Sequence, residues 1–389
     1  PITDDSRRKV IQYTYSSKAD TSDTKDGHGT HVAGIVAGEI DDDGHDKSKF
    51  RGVASEAKLT FMDLARPGTG LYVPSSSQLF GAGYEAGSRI QSHSFGTWVA
   101  DRRQSYYGAS IDKFLYKNSD FVVLYAAGNF GSANEGATIT EEAQTKNAII
   151  VGASVSSSGE NNIGKVSFFS SKGPTYDGRI KPDIIAPGEA LESAAASGNR
   201  GKSCEVTGKL GTSMATPAAA GAVVLIRQYF MDKNFWQKAC IRGFSGDGKC
   251  EAFTPSGPLL KAMLLHSGER MKRYEGSPSK DLSSPPDIYQ GYGRIKLNNI
   301  LPLGSGGDAD PNILLFVANN VLVEEKKRVR YALRVKSDRE PLKVTLVWYD
   351  APCDGKPRKA LLNDLDLVVT DPNGDDYYGN GKKGDDVNT

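Results

Sequence analysis

The sequence predicts an α/β fold, a parallel sheet covered on both faces by helices, followed by a smaller all-β unit. Three observations carry this. Short apolar runs alternate with amphipathic stretches through the first three-quarters of the 389 residues, the pattern of a buried parallel sheet. Two Ala- and Gly-rich helices begin at His28 and Ser213, shortly after Gly27 and Gly211. After a Gly-, Asp- and Pro-rich stretch at 304–311 the period changes to two, and no helical period returns. The expected units are residues 1–303 and 304–389.

Thr30 to Gly38 is small and apolar and continues a buried helix from His28. Leu59–Asp63 reads as a strand. Ser75–Gly87 reads as a helix that leads into a strand at Arg89–His93. The spacing of aromatic and aliphatic residues predicts a helix over Ser105–Lys117. Phe121–Ala127 and Ala148–Ala153 are short apolar strands. Ser213–Phe230 and Pro258–His266 are helices, and Gly291-Tyr292-Gly293-Arg294 has turn chemistry. In the second unit Val329–Val335, Lys343–Trp348 and Leu365–Thr370 alternate apolar and polar. The last of these ends in Asp371-Pro372-Asn373-Gly374, a strong turn signal.

Composition excludes several classes. Lysine and arginine total 48 against 47 acids, a net charge of +1, so nothing points to nucleic acid or an anionic membrane surface. No run of 18 apolar residues exists, and no membrane-spanning helix is expected. The four cysteines, Cys204, Cys240, Cys250 and Cys353, lack metal-ligand spacing.

The chemistry sits in two segments. Gly211-Thr212-Ser213-Met214-Ala215-Thr216-Pro217 sets a hydroxyl on the first turn of a buried helix, with no bulky neighbour. The unpaired N–H groups and positive dipole end of that turn suit an oxyanion. Pro217 is early enough to be tolerated. The alternative is an ordinary Ser/Thr N-cap. Asp26-Gly27-His28-Gly29-Thr30-His31 supplies the base such a serine needs, with glycines that allow close approach to His28. His31, one turn on, reads as a hydrogen-bonded core histidine, and His45, His93 and His266 lack the setting of His28. Asn129 follows the apolar run 121–127, at the carboxyl end of a predicted parallel strand, where ligands bind in open α/β sheets. Its NH2 and the Ser213 N–H would form an oxyanion hole. The alternative is a turn asparagine before Gly131.

Together these segments resemble the subtilisin-like serine proteases, the subtilases. The histidine box H-G-T-H-V-A-G and the serine box G-T-S-M-A-T-P of that family stand here without mismatch. Ser92-His93-Ser94-Phe95-Gly96, Ala126-Ala127-Gly128-Asn129, Ser167–Pro174 and Lys181–Gly188 resemble further boxes in the family's order, over about residues 1–300. The second unit is similar to the jelly-roll β-sandwich attached to some subtilases, through Leu346-Val347-Trp348-Tyr349-Asp350-Ala351-Pro352 and Asn363-Asp364-Leu365-Asp366-Leu367-Val368.

The resemblance implies a serine endopeptidase acting on extended polypeptides through a Ser-His-Asp mechanism with an acyl-enzyme. Ser213 and His28 would be catalytic and Asn129 would hold the oxyanion. Ser94, Phe95 and Gly96 would pair with the substrate backbone. Ala126, Ala127 and Gly128 would wall the pocket for the residue before the scissile bond. Thr140, where the family often has glycine, would narrow its floor, and Glu141 would favour a basic side chain. The family's aspartate box is absent from the 27 residues before His28, so the aspartate is expected upstream of Pro1. Asp4, Asp5, Asp20, Asp23 and Asp26 end no apolar strand. A C-terminal truncation of the sandwich is expected as well.

A secreted setting is implied too, with a Cys240–Cys250 disulfide around a polar loop, and Cys204 and Cys353 either paired or free. The chemistry needs no cofactor. Asp364 and Asp366 share a strand face and with Asp354 could hold structural Ca²⁺. The alternative is solubilising edge carboxylates. Asp41-Asp42-Asp43 reads as a solvated loop. The expected partners are polypeptide substrates alone, and the expected state is a monomer. The competing readings are a catalytically inactive binding protein on the same scaffold and, more remotely, an esterase.

Overall fold

The computed structural model describes residues 8–17, 19, 23, 26–39, 50–66, 70–97, 106–133, 136–156, 163–196, 205–237, 240, 244–245, 250–276, 278–301, 313–337, 340–353 and 359–381. Strand β1 (Val10–Tyr15) pairs in parallel with β2 (Leu59–Asp63), with α1 (His28–Ala37) between them in sequence. A short antiparallel pair, β3 (Ala65–Arg66) and β4 (Gly70–Leu71), precedes α2 (Ser76–Glu85), β5 (Ile90–His93), α3 (Tyr106–Lys117), β6 (Val122–Ala126) and β7 (Ile149–Ser154). Then come β8 (Lys165–Val166), β9 (Ile184–Pro187), and the antiparallel β10 (Leu191–Ala194) and β11 (Val206–Lys209). Helix α4 (Thr212–Met231), β12 (Phe244–Ser245), α5 (Gly257–His266), β13 (Arg273–Tyr274) and β14 (Lys280–Asp281) complete the first unit.

The central sheet has seven strands in the order β14-β13-β8-β7-β6-β5, with β9 also on β7. β5, β6, β7 and β9 run parallel, as the alternation predicts. β6 reads Val-Val-Leu-Tyr-Ala and is buried throughout, the mark of a strand covered on both faces. Val122 and Leu124 join the core formed with α4 and α5 through Ala219, Val223, Leu260 and Leu264. Val123 and Tyr125 join the opposite core with Phe80, Ile111 and Leu115 of α2 and α3. Each fully buried Val, Leu or Ile contributes roughly 1.5–3 kcal/mol. α4 lies across β5, β6, β7 and β9 and packs on α1. Its small residues permit that approach: a β-carbon on Gly221 would stand 2.5 Å from the Val53 Cβ.

The sheet is interrupted. β2 and β5 both flank α2, whose Gly83 is close to Thr60 of β2 and Gln91 of β5. Leu59 and Ile90 are only half-buried against the same core. Yet β1 and β2 form a separate two-stranded sheet, and beyond their pairings with β1 and β6 the edges of β2 and β5 have no ladder partner among the described residues. Gln91 Oε1, Ser92 Oγ and His93 Nε2 on β5 are buried without hydrogen-bond partners.

After residue 312 the structure departs from the expected sandwich. Among the described residues it has β15 (Phe316–Val317), parallel to β12, and the hairpin β16 (Val368–Thr370)–β17 (Asp376–Tyr378), which turns at the predicted Asp371–Gly374. The alternating segments 329–335 and 343–348 form no strand, and a jelly-roll is not seen there. Alternation records one-sided burial, whereas a strand also needs a neighbour for its N–H and C=O groups. Segment 343–353 instead attaches by side chains to the first unit. Lys343 Nζ donates to the His266 carbonyl at 2.6 Å. Tyr349 Oη donates to the Phe121 carbonyl at 2.7 Å.

Cys240 and Cys250 form the expected disulfide. Cys353 is buried and has no disulfide partner among the described residues. Cys204, His45, Asp4, Asp5, Asp20, Asp41, Asp42, Asp43 and Asp354 lie outside the described residues. Among the described residues no helix is long and apolar enough to cross a membrane.

Candidate active site

The site lies at the carboxyl ends of the parallel strands. Gly211 has φ 143°, a backbone region that favours glycine, and this turns the chain from β11 into α4. Thr212 begins the helix, so Ser213 stands on its first turn. Gly27, with φ 62°, does the same for α1; a β-carbon on it would lie 2.7 Å from that of Ala196. His28 is then the first residue of α1. His28, Ser213 and Asn129 all line one cavity of about 650 Å³. The two helix starts that are 185 residues apart (213 − 28) therefore converge.

Ser94 links the strand segment after β5 to the serine. Its Oγ donates to the Ser213 carbonyl at 2.7 Å, and its carbonyl accepts from Ser213 Oγ at 3.2 Å. No hydrogen bond joins Ser213 to His28 among the described residues. Asn129 Oδ1 accepts from the Thr212 N–H at 2.8 Å and from Thr212 Oγ1 at 3.0 Å. That fixes the amide, and its NH2 is the half left to face the cavity. Thr212 Oγ1 also accepts from the Gly128 N–H at 3.2 Å. Thr212, which sequence reading treats as a neighbour of the serine, thus orients the asparagine; the Thr-Ser pair was the available signal.

Burial holds the His28 imidazole below its ordinary value, Asp26 opposes that shift, and Lys209 adds to it. No carboxylate bonds the His28 ring among the described residues. Asp26 is committed to Lys209 at 2.9 Å. Asp23 accepts from the Thr30 N–H and hydroxyl. Asp63 ends β2 and binds Tyr13 Oη and the Ala65 N–H instead. His31 is the expected core histidine, buried, with Nε2 at 3.1 and 3.0 Å from the carbonyls of Leu191 and Thr207. His93 is buried among aromatic rings, stacked on Tyr125 at 4.6 Å, and burial lowers its pKa to about 3.

Of the expected substrate segments, Ser94 bonds Ser213, and Gly96 and Gly128 both lie against Thr140, whose N–H donates to the Ala127 carbonyl. A β-carbon on Gly96 would be 2.8 Å, and one on Gly128 2.9 Å, from Thr140 Cγ2. Asp364 and Asp366 are exposed, far along the chain from this site, and no cluster of three His, Cys, Asp or Glu side chains occurs among the described residues.

An α/β sheet with a serine, a histidine and an asparagine gathered at its strand ends defines the class: this is a serine protease architecture. The chain belongs to the subtilase family, whose profile matches residues 2–284. It is 29% identical to the serine protease/ABC transporter B family protein tagD of Dictyostelium discoideum, over 93% of this chain and 26% of that protein. With tagB of the same organism it is 28% identical over 98% of this chain and 25% of the relative. The chain therefore spans about a quarter of the length of these curated relatives. Serine protease AprX of Bacillus subtilis is 34% identical over 28% of the chain and 27% of its own length. Among solved structures, the prenylagaramide maturation protease PagA has the same fold, with a TM-score of 0.51 at 21% identity, over 74% of this chain and 84% of that one.

Proposed function

We propose that this protein is a serine endopeptidase that cleaves extended polypeptides in an extracellular setting. One observation carries the reading: Ser213, His28 and Asn129 line a single cavity at the carboxyl ends of the strands. Ser213 Oγ attacks the scissile carbonyl, and His28 takes its proton. The Asn129 NH2 and the Ser213 N–H, free on the first turn of α4, hold the oxyanion. His28 then protonates the leaving amine, and water resolves the acyl-enzyme with His28 again as base. The disulfide supports the oxidising setting. No cofactor enters the chemistry, and calcium at Asp364 and Asp366 would be structural.

We further propose that an aspartate orienting His28 lies outside this stretch, on a strand lodged between the edges of β2 and β5 that have no ladder partner among the described residues. Both edges end beside the site. Gly29, next to His28, lies against Phe61 of β2, where a β-carbon would be 3.1 Å from the ring. Ser94, just beyond β5, bonds Ser213. Without that acid the imidazolium has no carboxylate to stabilise it.

The test is covalent labelling of Ser213 by a fluorophosphonate. The protein carrying its upstream residues is expected to label faster than the 389-residue chain by on the order of 10⁴-fold. Equal rates would remove the missing-acid proposal, and no labelling in either would favour the inactive scaffold, a reading encouraged by the Ser213–Ser94 bond.

The pH profile supplies a second check. A base works only while neutral, and burial lowers the His28 pKa from 6.5. The acid limb of labelling for this chain is therefore expected below pH 6.5, and it should move upward when a carboxylate stabilises the protonated ring. A limb above pH 6.5 in the 389-residue chain would contradict the described environment of His28.

A further inference from the structure

We infer that Thr140 closes the pocket that receives the side chain preceding the scissile bond, so that the enzyme accepts only glycine, alanine or serine there. The inference rests on the peptidase reading and deepens it. Consider a peptide laid along Ser94–Gly96 with its carbonyl carbon at Ser213 Oγ and its carbonyl oxygen at the Asn129 NH2. Asn129 directly follows Gly128, and Ser94 is bonded to Ser213. The residue that bears that carbonyl therefore stands between the Ser94–Gly96 wall and the Ala126–Gly128 wall.

That space is occupied. The Thr140 methyl lies where a β-carbon on Gly96 would be 2.8 Å away and one on Gly128 2.9 Å away, closer than any ordinary carbon contact. The threonine thus fills the gap up to the backbones of both walls. It is 2% exposed, and its Oγ1 has no hydrogen-bond partner among the described residues. The cavity beside Ser213 opens elsewhere, toward Gly208, Lys209, Leu210 and Glu192, and is lined by none of Gly96, Gly128 and Thr140.

Thr140 is also held in place. Its N–H donates to the Ala127 carbonyl at 3.1 Å, on one wall. The next N–H, of Glu141, donates to the Thr97 carbonyl at 2.9 Å, beyond the other wall. The Glu142 carboxylate accepts from the Thr97 N–H at 2.8 Å and closes that clamp. Shifting the backbone of this stretch to admit a large side chain would break the bonds to Ala127 and Thr97 together. With Thr140 as the floor, the expected preference for a basic residue through Glu141 is replaced by one for small residues. The unpartnered hydroxyl is the group that would meet a serine side chain.

The experiment is cleavage profiling of the protein with its upstream residues, on a peptide panel varied only at the residue before the scissile bond. Alanine, glycine and serine are expected to exceed leucine, phenylalanine and lysine in kcat/KM by on the order of 100-fold. Thr140→Gly and Thr140→Ala should raise the leucine and phenylalanine values at least about tenfold relative to alanine. Comparable wild-type rates for alanine and phenylalanine would overturn the pocket inference while leaving the peptidase intact. Failure to cleave any peptide, together with failure to react with a fluorophosphonate, would instead refute the peptidase reading and the inference with it. If a variant does not fold, the wild-type profile alone decides.

Discussion

In the protein carrying its upstream residues, replacing Ser213 by alanine is expected to remove hydrolysis almost completely, by about 10⁶-fold in kcat, the scale of loss at such a nucleophile in a well-studied subtilase. That is about 8 kcal/mol of transition-state stabilisation. The structure gives a reason to expect loss of chemistry without loss of fold. Ser213 is half-buried on the first turn of α4, and the helix is anchored by Thr212, Met214 and Ala215, which are buried. Among the described residues its side chain makes one bond, to the Ser94 carbonyl, and the reciprocal bond from Ser94 Oγ uses the Ser213 backbone, which alanine retains.

Asn129→Ala should be milder, about 10²–10³-fold in kcat, because it removes one of two oxyanion donors. It also frees the Thr212 N–H and hydroxyl, so Asn129→Asp, which keeps that acceptor and lacks the NH2, separates positioning from donation. Steady-state kinetics on one peptide, with thermal unfolding as control, decide the matter. A Ser213→Ala protein within tenfold of wild type would end the proposed mechanism.

The site was legible in the sequence because its signals are local. A glycine, a small residue and a chemical group on the first turn of an apolar helix can be read from seven residues, and both His28 and Ser213 stand where that reading puts them. The helices follow for the same reason; α2, α3, α4 and α5 match their expected spans within two residues at each end.

What was missed is not local. β1 escapes notice because most of its apolar residues face outward: Ile11, Tyr13 and Tyr15 are exposed, while Val10, Gln12 and Thr14 are half-buried. The expected strands at 329–335 and 343–348 show the reverse error. Their alternation is real, but exposed Val329, Tyr331, Leu333 and Val335 have no strand partner among the described residues, and pairing cannot be read from one segment. The role of Lys146 was invisible as well, since its partner lies 204 residues away.

That partner is Asp350, and breaking the pair is expected to destabilise the fold by about 3–5 kcal/mol. Lys146 Nζ spends all three protons, on Asp350 Oδ2 at 2.5 Å and on the carbonyls of Ala351 and Ala360 at 2.6 and 2.7 Å. Asp350 Oδ2 also accepts from the Leu362 N–H, and Oδ1 from the N–H and Nδ2 of Asn363. Both side chains are 3% exposed. Burial alone would raise the Asp350 carboxyl, but the bonds from Lys146, Leu362 and Asn363 outweigh it and hold the group below the ordinary carboxylate range. This contribution is therefore full above the unfolded-state pKa of about 4 and is lost as the pH falls through the lower folded value.

Asp350→Ala leaves an ammonium buried with no counter-charge, and Lys146→Ala leaves a buried carboxylate. Either should cost more than Lys146→Met with Asp350→Leu, in which no charge is stranded. Asn147 makes the attachment reciprocal: its Nδ2 donates to the Asp350 carbonyl at 2.9 Å, and its Oδ1 accepts the Asp350 N–H at 2.8 Å. The same residue follows the Thr140–Gln144 stretch that floors the proposed pocket. Loosening Asp350 should therefore raise KM for peptides more than it lowers kcat. Urea unfolding of the two single variants and the double variant tests the energetic claim, and a loss under about 1 kcal/mol for Asp350→Ala would mean that the segment after 340 is only loosely attached to the protease unit.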